Sequence, residues 1–261
     1  MTDVQQLLDF ALECAWKAGR ISLGHFLNGV AVERKADNSP VTVADREVEQ
    51  MLRSRITQQW PEHGIIGEEF GRIESRSEFT WIVDPIDGTK SFTCGVPFYA
   101  NLIALTDSQG PLIGVAHYPA LNEMIYAARG LGCYWNGRRC HVSDVHKLED
   151  AVLLTSDVSS YHTPARAAIW DQLTDRTYFQ RTWGDAYGYL LVATGRAEIM
   201  LEPSLAVWDA GPMPVIMNEA GGHFSDWQGQ VDIASGSAVA TNGELYEPVM
   251  HIIQESQAQG T

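Results

Sequence analysis

From Val4 to Phe26 the apolar positions Val4, Leu7, Leu8, Ala11, Leu12, Ala15, Ala18 and Leu23 recur at the spacing of one helical face. A long amphipathic helix is expected there, closed by Gly24 and Gly29. Pro40 stops what precedes Thr42, and Thr42-Val43-Ala44-Asp45 has the form of a capping box ahead of Val48, Met51, Leu52 and Ile56. A second helix therefore starts near Thr42 and is closed by Pro61. The texture then becomes strand-like: Trp81 to Val83, Leu102 to Thr106, Leu112 to His117 and Met124 to Ala127 are short β-rich runs separated by turn residues, which predicts a meandering, largely antiparallel sheet.

The second half alternates instead. Val152 to Thr155 and Glu198 to Leu201 read as strands, while Pro164 to Leu173, Ala186 to Ala193 and Val207 to Ala220 read as helices, an order that favours an α/β layer. The turn-rich segment His141 to Leu148 separates the two textures, so an α+β part over 1–144 and an α/β part over 145–261 are expected. The polar end, Gln254 to Thr261, is expected to fray.

A chain of 261 residues with 45% hydrophobic side chains can bury a sizeable core, and its formal charge of -15 repels nucleic acid and anionic membrane surfaces. The start at Met1-Thr2-Asp3-Val4 has no basic and apolar leader, and no apolar run is long enough to cross a bilayer, so a cytoplasmic location is the default expectation. Cys14, Cys94, Cys133 and Cys140 lack Cys-x-x-Cys spacing and read as free buried thiols. The eight histidines show no metal spacing, and Trp16, Trp81, Trp183 and Trp208 read as core or pocket wall.

The candidate chemistry lies in three separated acidic clusters, Gly67-Glu68-Glu69, Asp84-Pro85-Ile86-Asp87 and Trp208-Asp209, each approached by an apolar run. Carboxylates converging where buried strands leave the core repel one another unless cations neutralise them, and an oxygen-only ligand set suits magnesium. Asp84-Pro85-Ile86-Asp87 spaces two carboxylates around what reads as a rigid turn, with a backbone carbonyl between them as a further ligand. Gly88 allows close backbone approach, and a helical turn opening at Thr89 would present free N–H groups to a phosphate. Taken singly, each residue has a plainer explanation: Asp45 completes a capping box, Asp209 favours a helix N-terminus, Glu68-Glu69 is an exposed pair and Lys35 a solvated lysine.

Together, Gly67-Glu68-Glu69, the run Trp81-Ile82-Val83-Asp84-Pro85-Ile86-Asp87-Gly88-Thr89-Lys90-Ser91-Phe92, Trp208-Asp209 and Glu219-Ala220-Gly221-Gly222 resemble the inositol monophosphatase family over nearly the whole chain. The resemblance implies a layered αβαβα sandwich and a magnesium-dependent phosphate monoester hydrolase, often a homodimer, with two to three ions per site. It implies that Glu68, Asp84 and the Ile86 carbonyl hold one ion, that Asp84, Asp87 and Asp209 hold a second, and that a third lies near Glu68. Thr89 and Asp45 correspond to the pair that orients the attacking water, and the N–H groups of Gly88 and Thr89 to phosphate ligands. Lys35 lies near the equivalent of a family lysine close to the anion.

Arg181-Thr182-Trp183-Gly184-Asp185-Ala186-Tyr187-Gly188-Tyr189 and Asp87-Gly88-Thr89-Lys90-Ser91-Phe92 look like the versions carried by the histidinol-phosphate phosphatases of this family. Asp185 and Glu202 fall, in the family register, near the alcohol part of the substrate, where two carboxylates suit a cationic amine better than a neutral polyol. For Asp185 the plainer role is capping a helix that begins at Ala186. The expected partner is a small phosphate ester, most specifically L-histidinol phosphate. The alternatives are an inositol, sugar or nucleotide phosphatase and, outside enzymes, a catalytically silent metal-binding regulator.

Overall fold

The computed structural model describes residues 3–35 and 39–259. Helix α1 (Val4–His25) starts from Asp3, whose side chain accepts from the Gln5 N–H, and buries the stripe of Leu7, Leu8, Ala11, Ala15 and Ala18. Strands β1 (Val32–Arg34) and β2 (Pro40–Thr42) pair antiparallel and lead into α2 (Val43–Gln59). There the Thr42 hydroxyl accepts from the Ala44 N–H while Asp45 accepts from the Thr42 N–H, the reciprocal cap expected from the sequence. Then follow β3 (Gly64–Gly67), β4 (Gly71–Ile73) and β5 (Thr80–Asp87).

Asp84-Pro85-Ile86-Asp87 is the end of β5, not a turn. Its register against the next strand is irregular between Asp84 and Asp87, the signature of a bulge. Pro85 has no N–H to give to the ladder, and its carbonyl accepts instead from the Asn101 side chain at 2.5 Å. The chain continues through α3 (Thr89–Thr93), β6 (Ala100–Asp107), β7 (Gly110–Tyr118), β8 (Glu123–Ala128), β9 (Gly132–Trp135) and β10 (Arg138–Arg139). Strands β3 to β10 form one eight-stranded sheet in the order β10-β9-β8-β7-β6-β5-β3-β4, antiparallel except where β3 runs beside β5.

The second sheet is built from β11 (Val152–Leu154), then, after α4 (Pro164–Arg176), β12 (Phe179–Arg181), and, after α5 (Asp185–Ala193), β13 (Ile199–Glu202). The helix expected over Val207–Ala220 is two, α6 (Val207–Ala210) and α7 (Met213–Glu219), because Pro212 and Pro214 cannot donate to the helical ladder. Strands β14 (His223–Ser225) and β15 (Ala238–Thr241) complete the sheet, in the order β12-β11-β13-β15-β14. Helix α8 (Tyr246–Gln259) corrects the expectation of a frayed end at Gln254; Gly260 and Thr261 lie outside the described residues. Ile252, Ile253 and Ser256 are buried, and the Ser256 hydroxyl accepts from the Gln172 side chain of α4 at 2.7 Å. Packing against α4, more than local polarity, makes this end a helix.

Alternation along each strand distributes the core into layers. On β6, Ile103 and Leu105 join α1 and α2 on one face, whereas Ala100 and Leu102 face the opposite way into a cluster with α5 and α7. That middle cluster also takes Met200 of β13 and Ala238 and Ala240 of β15, while Ile199, Leu201 and Val239 point to α4 and α8. The layers are therefore helix, sheet, helix, sheet, helix. The middle contact is close: a Cβ on Gly114 of β7 would lie 2.3 Å from the Pro212 carbonyl oxygen. Gly114→Ala is expected to lower stability by about 1–3 kcal/mol, and an unchanged urea midpoint would refute that close approach.

The thiols of Cys14, Cys133 and Cys140 are buried and free, while Cys94 is exposed, against expectation. Of the tryptophans, Trp81 is fully buried, whereas Trp16 and Trp183 are partly in solvent, at 54% and 37% exposure.

Candidate active site

Three elements bring acidic side chains to one cleft of about 300 Å³. The end of β5 carries Asp84 and Asp87, the turn after β3 carries Glu68, and the first turn of α6 carries Asp209. Asp84, Asp87 and Asp209 each offer an oxygen, and these lie within 4.8 Å of one another. One oxygen of Asp87 accepts from the Ala186 N–H at 2.8 Å, and one of Asp209 reaches back to the Ala206 N–H at 2.7 Å. These bonds orient the carboxylates. Oδ1 of Asp84 is buried with no hydrogen-bond partner, which for a carboxylate is costly unless something else occupies it.

The electrostatics carry the same sign throughout. Burial, reinforced by the negative charges of Glu68, Asp209 and Asp87, pushes the Asp84 carboxyl well above its ordinary range. Burial and the charges of Asp185 and Asp209 do the same to Asp87, and burial raises Asp209 against the help of the Ala206 N–H. Glu68 is raised to about 7, chiefly by burial, although Lys35 pulls the other way. The Lys35 ammonium donates to Glu68 at 2.7 Å and to Glu69 at 2.6 Å, so its ammonium is already engaged by carboxylates at the rim. A cluster of close, buried, unneutralised oxygens fits hard divalent cations.

Asp45 uses one oxygen for its cap, accepting from the Thr42 N–H and hydroxyl, while Oδ1 is buried without a partner. The Thr89 hydroxyl does not bond Asp45; it donates to the Ile86 carbonyl at 3.0 Å, the carbonyl read as a ligand, which still has a second lone pair. Gly88 is left-handed at φ +75°, and a Cβ there would come within 2.8 Å of Asp185 Oδ2. Glycine thus serves both backbone and clearance. Asp185 is the first residue of α5, with Gly184 at the cap position, so it does not stand ahead of a helix that begins at Ala186 as the capping role weighed for it required. Asp185 lines the main cleft and also a smaller cavity of about 80 Å³ shared with Glu202, Ser156, Tyr189, Asp87 and Asp209. Glu202, last residue of β13, accepts from the Ser156 N–H and hydroxyl and is pushed by burial up to about 8.

Several supporting residues escaped the sequence reading. Glu49, fully buried on α2, accepts from the Glu69 and Phe70 N–H groups and from Arg53, which pins the turn that carries Glu68. The i,i+4 pairing of Glu49 with Arg53 was visible, but nothing in the sequence aims it at a turn twenty residues away. Ser156 and Asn101 likewise act through contacts remote in sequence.

With that geometry in place, a family description, "Inositol monophosphatase family", matches residues 3–258. The chain belongs to the inositol monophosphatase family. That membership makes it a phosphatase, a phosphoric monoester hydrolase of a metal-dependent family. It is 37% identical over 235 residues to a histidinol-phosphatase of Chlorobaculum parvum, covering 90% of this chain and 91% of that one. It is 41% identical over 224 residues to a histidinol-phosphatase of Mycobacterium tuberculosis, covering 84% and 86%. Among solved structures it superposes on an inositol monophosphatase (IMPase) of Thermotoga maritima with a TM-score of 0.87 at 30% identity, covering 98% of this chain and 100% of that one. The layered sandwich is thus the family fold, as the resemblance implied. Among the described residues no helix is long and apolar enough to cross a membrane.

Proposed function

We propose that the chain hydrolyses L-histidinol phosphate to L-histidinol and phosphate, with magnesium as its resident ion, two to three per site. The observation that carries the reading is the acidic chamber of Asp185 and Glu202 opening beside the carboxylate cleft. A phosphate ester whose alcohol bears an ammonium group is complementary to such a pair, and a neutral polyol gains less from it. The two histidinol-phosphatases compared above, more similar in sequence than the Thermotoga structure, support the same choice.

In this reading Glu68, Asp84 and the Ile86 carbonyl form one ion site, and Asp84, Asp87 and Asp209 a second. Bound divalent ions supply water of lowered pKa and stabilise the oxygens entering and leaving phosphorus. The N–H groups of Gly88 and Thr89 stand at the start of α3 and are assigned to the phosphate. Lys35 neutralises the Glu68 and Glu69 side near the anion. The spare oxygen of Asp45 and the Thr89 hydroxyl are assigned the orientation of the attacking water, and Glu68 the acceptance of its proton. Asp185 and Glu202 take the ammonium end of the alcohol.

The test compares kcat/KM for L-histidinol phosphate and inositol 1-phosphate on the purified protein with magnesium, in wild type and in Glu202→Gln. Wild type is expected to prefer histidinol phosphate, and Glu202→Gln to lose roughly tenfold on that ester alone, the scale of one charge-assisted hydrogen bond. Preference for the inositol ester would end the substrate assignment. Binding of magnesium without turnover of either ester would point to a silent regulator.

A further inference from the structure

Within the smaller cavity one polar group has no use in anything described above. The hydroxyl of Tyr189, on α5, is buried with no hydrogen-bond partner, although its residue lines the cavity with Glu202, Ser156 and Asp185. The ring is 3% exposed and rests against Phe224 at 6.2 Å between centroids, so the side chain is held in place by packing on its apolar face. Burying a hydroxyl without a partner is unfavourable. Phenylalanine would fill the same space without that cost. An orphaned hydroxyl at the wall of a polar cavity is therefore poised for a group that arrives from outside.

Its chemistry differs from that of its neighbours. Asp185, Glu202 and Asp209 are carboxyl groups, and the Ser156 hydroxyl already donates to Glu202 at 2.7 Å. Burial, together with the negative charges of Glu202, Asp209 and Asp87, holds the Tyr189 phenol far above its ordinary pKa, so it stays protonated and can donate. A cavity walled by carboxyl groups, with a buried phenol donor left unspent, suits a fragment that has an acceptor as well as N–H donors. Neutral imidazole has one of each, since one ring nitrogen carries the proton and the other accepts. The cavity volume of about 80 Å³ exceeds several times what one water needs, about 10–15 Å³.

We propose that Tyr189 is a specificity-determining residue, its hydroxyl donating a hydrogen bond to the unprotonated ring nitrogen of the imidazole end of the leaving alcohol. The assignment rests on the histidinol phosphate reading and adds to it a ring-recognition role separate from the ammonium-binding carboxylates. It distinguishes an imidazole-bearing aminoalkyl phosphate from an aminoalkyl phosphate without the ring.

Tyr189→Phe tests this, because it removes the hydroxyl alone and relieves a buried orphan; its melting temperature is expected to equal or exceed that of wild type. Steady-state kinetics with magnesium are compared on L-histidinol phosphate and O-phosphoethanolamine, which shares phosphate and ammonium but has no ring. Binding of L-histidinol itself is measured by calorimetry. The variant is expected to raise KM for histidinol phosphate and weaken histidinol binding about tenfold, while kcat/KM for O-phosphoethanolamine stays within about twofold. Equal losses on both esters would mean that Tyr189 only supports the fold of the site and would overturn the proposal. So would unchanged histidinol binding in a protein whose wild type prefers histidinol phosphate. A wild type that prefers inositol 1-phosphate overturns the underlying substrate reading, and the ring-binding role falls with it.

Discussion

Asp84→Asn is expected to lower turnover by about a hundredfold to a thousandfold, the scale on which removing a single electrostatic contact at a reaction centre acts, while leaving a folded protein. Asp84 stands within reach of both Asp87 and Asp209, has one buried oxygen without a protein partner, and lines the same cleft as Glu68. Replacing it removes the ligand that the two proposed ion sites share. The substitution also deletes one of several like charges, so without metal the variant should melt at the same temperature as wild type or higher. Magnesium should raise the melting temperature of wild type far more than that of the variant. Full activity in Asp84→Asn, or equal stabilisation of both proteins by magnesium, would sink the ligand assignment.

The second large effect is the pH dependence of the metal-free protein. Glu68 is raised from 4.5 to about 7 and Glu202 from 4.5 to about 8, both chiefly by burial. A carboxyl whose folded pKa exceeds its unfolded one keeps a proton in the fold that the unfolded chain has already released. Stability is then fully present below the unfolded value and is lost as pH rises toward the folded value. Between pH 5 and pH 8, in excess chelator, the protein should lose a few kcal/mol, or roughly 10 °C in melting temperature. Magnesium should restore most of this loss, and restore more at pH 8 than at pH 5, because the ions replace the protons as neutralising charge. Thermal melts with and without chelator across that range decide it; a chelated protein as stable at pH 8 as at pH 5 contradicts the crowding of carboxylates on which the site rests.

Much of the architecture could be read from periodicity because the strongest signals are local. The stripe from Leu7 to Ala18 predicts α1 correctly, since one face of a helix must bury its apolar side whatever it packs against. Thr42 and Asp45 similarly announce the start of α2. Local signals failed where a tertiary partner reversed them. Gln254 to Gln259 looks like a polar end, yet α8 runs through it because Ile252, Ile253 and Ser256 dock on α4. Asp84-Pro85-Ile86-Asp87 has the composition of a turn, and only pairing with β6 holds it as a bulged strand.

For the site, the sequence by itself determined which residue types are available: carboxylates after apolar runs, a glycine between Asp87 and Thr89, and a motif specific enough to indicate the family. Their order and spacing are properties of the chain, and they persist however it folds. Which of them meet was decided by the tertiary structure alone. It spends one oxygen of Asp45 on a cap, sets Asp185 in the wall of the cavity, and ties Lys35 to Glu68 and Glu69. It also leaves the Tyr189 hydroxyl unpaired beside Glu202. Such outcomes depend on distances between segments about a hundred residues apart or more, as between Asp87 and Ala186 or Asp87 and Asp209. Hydrogen bonding acts over a few ångströms and charge repulsion fades beyond about 10 Å, so no pattern along the chain encodes them until packing sets those distances.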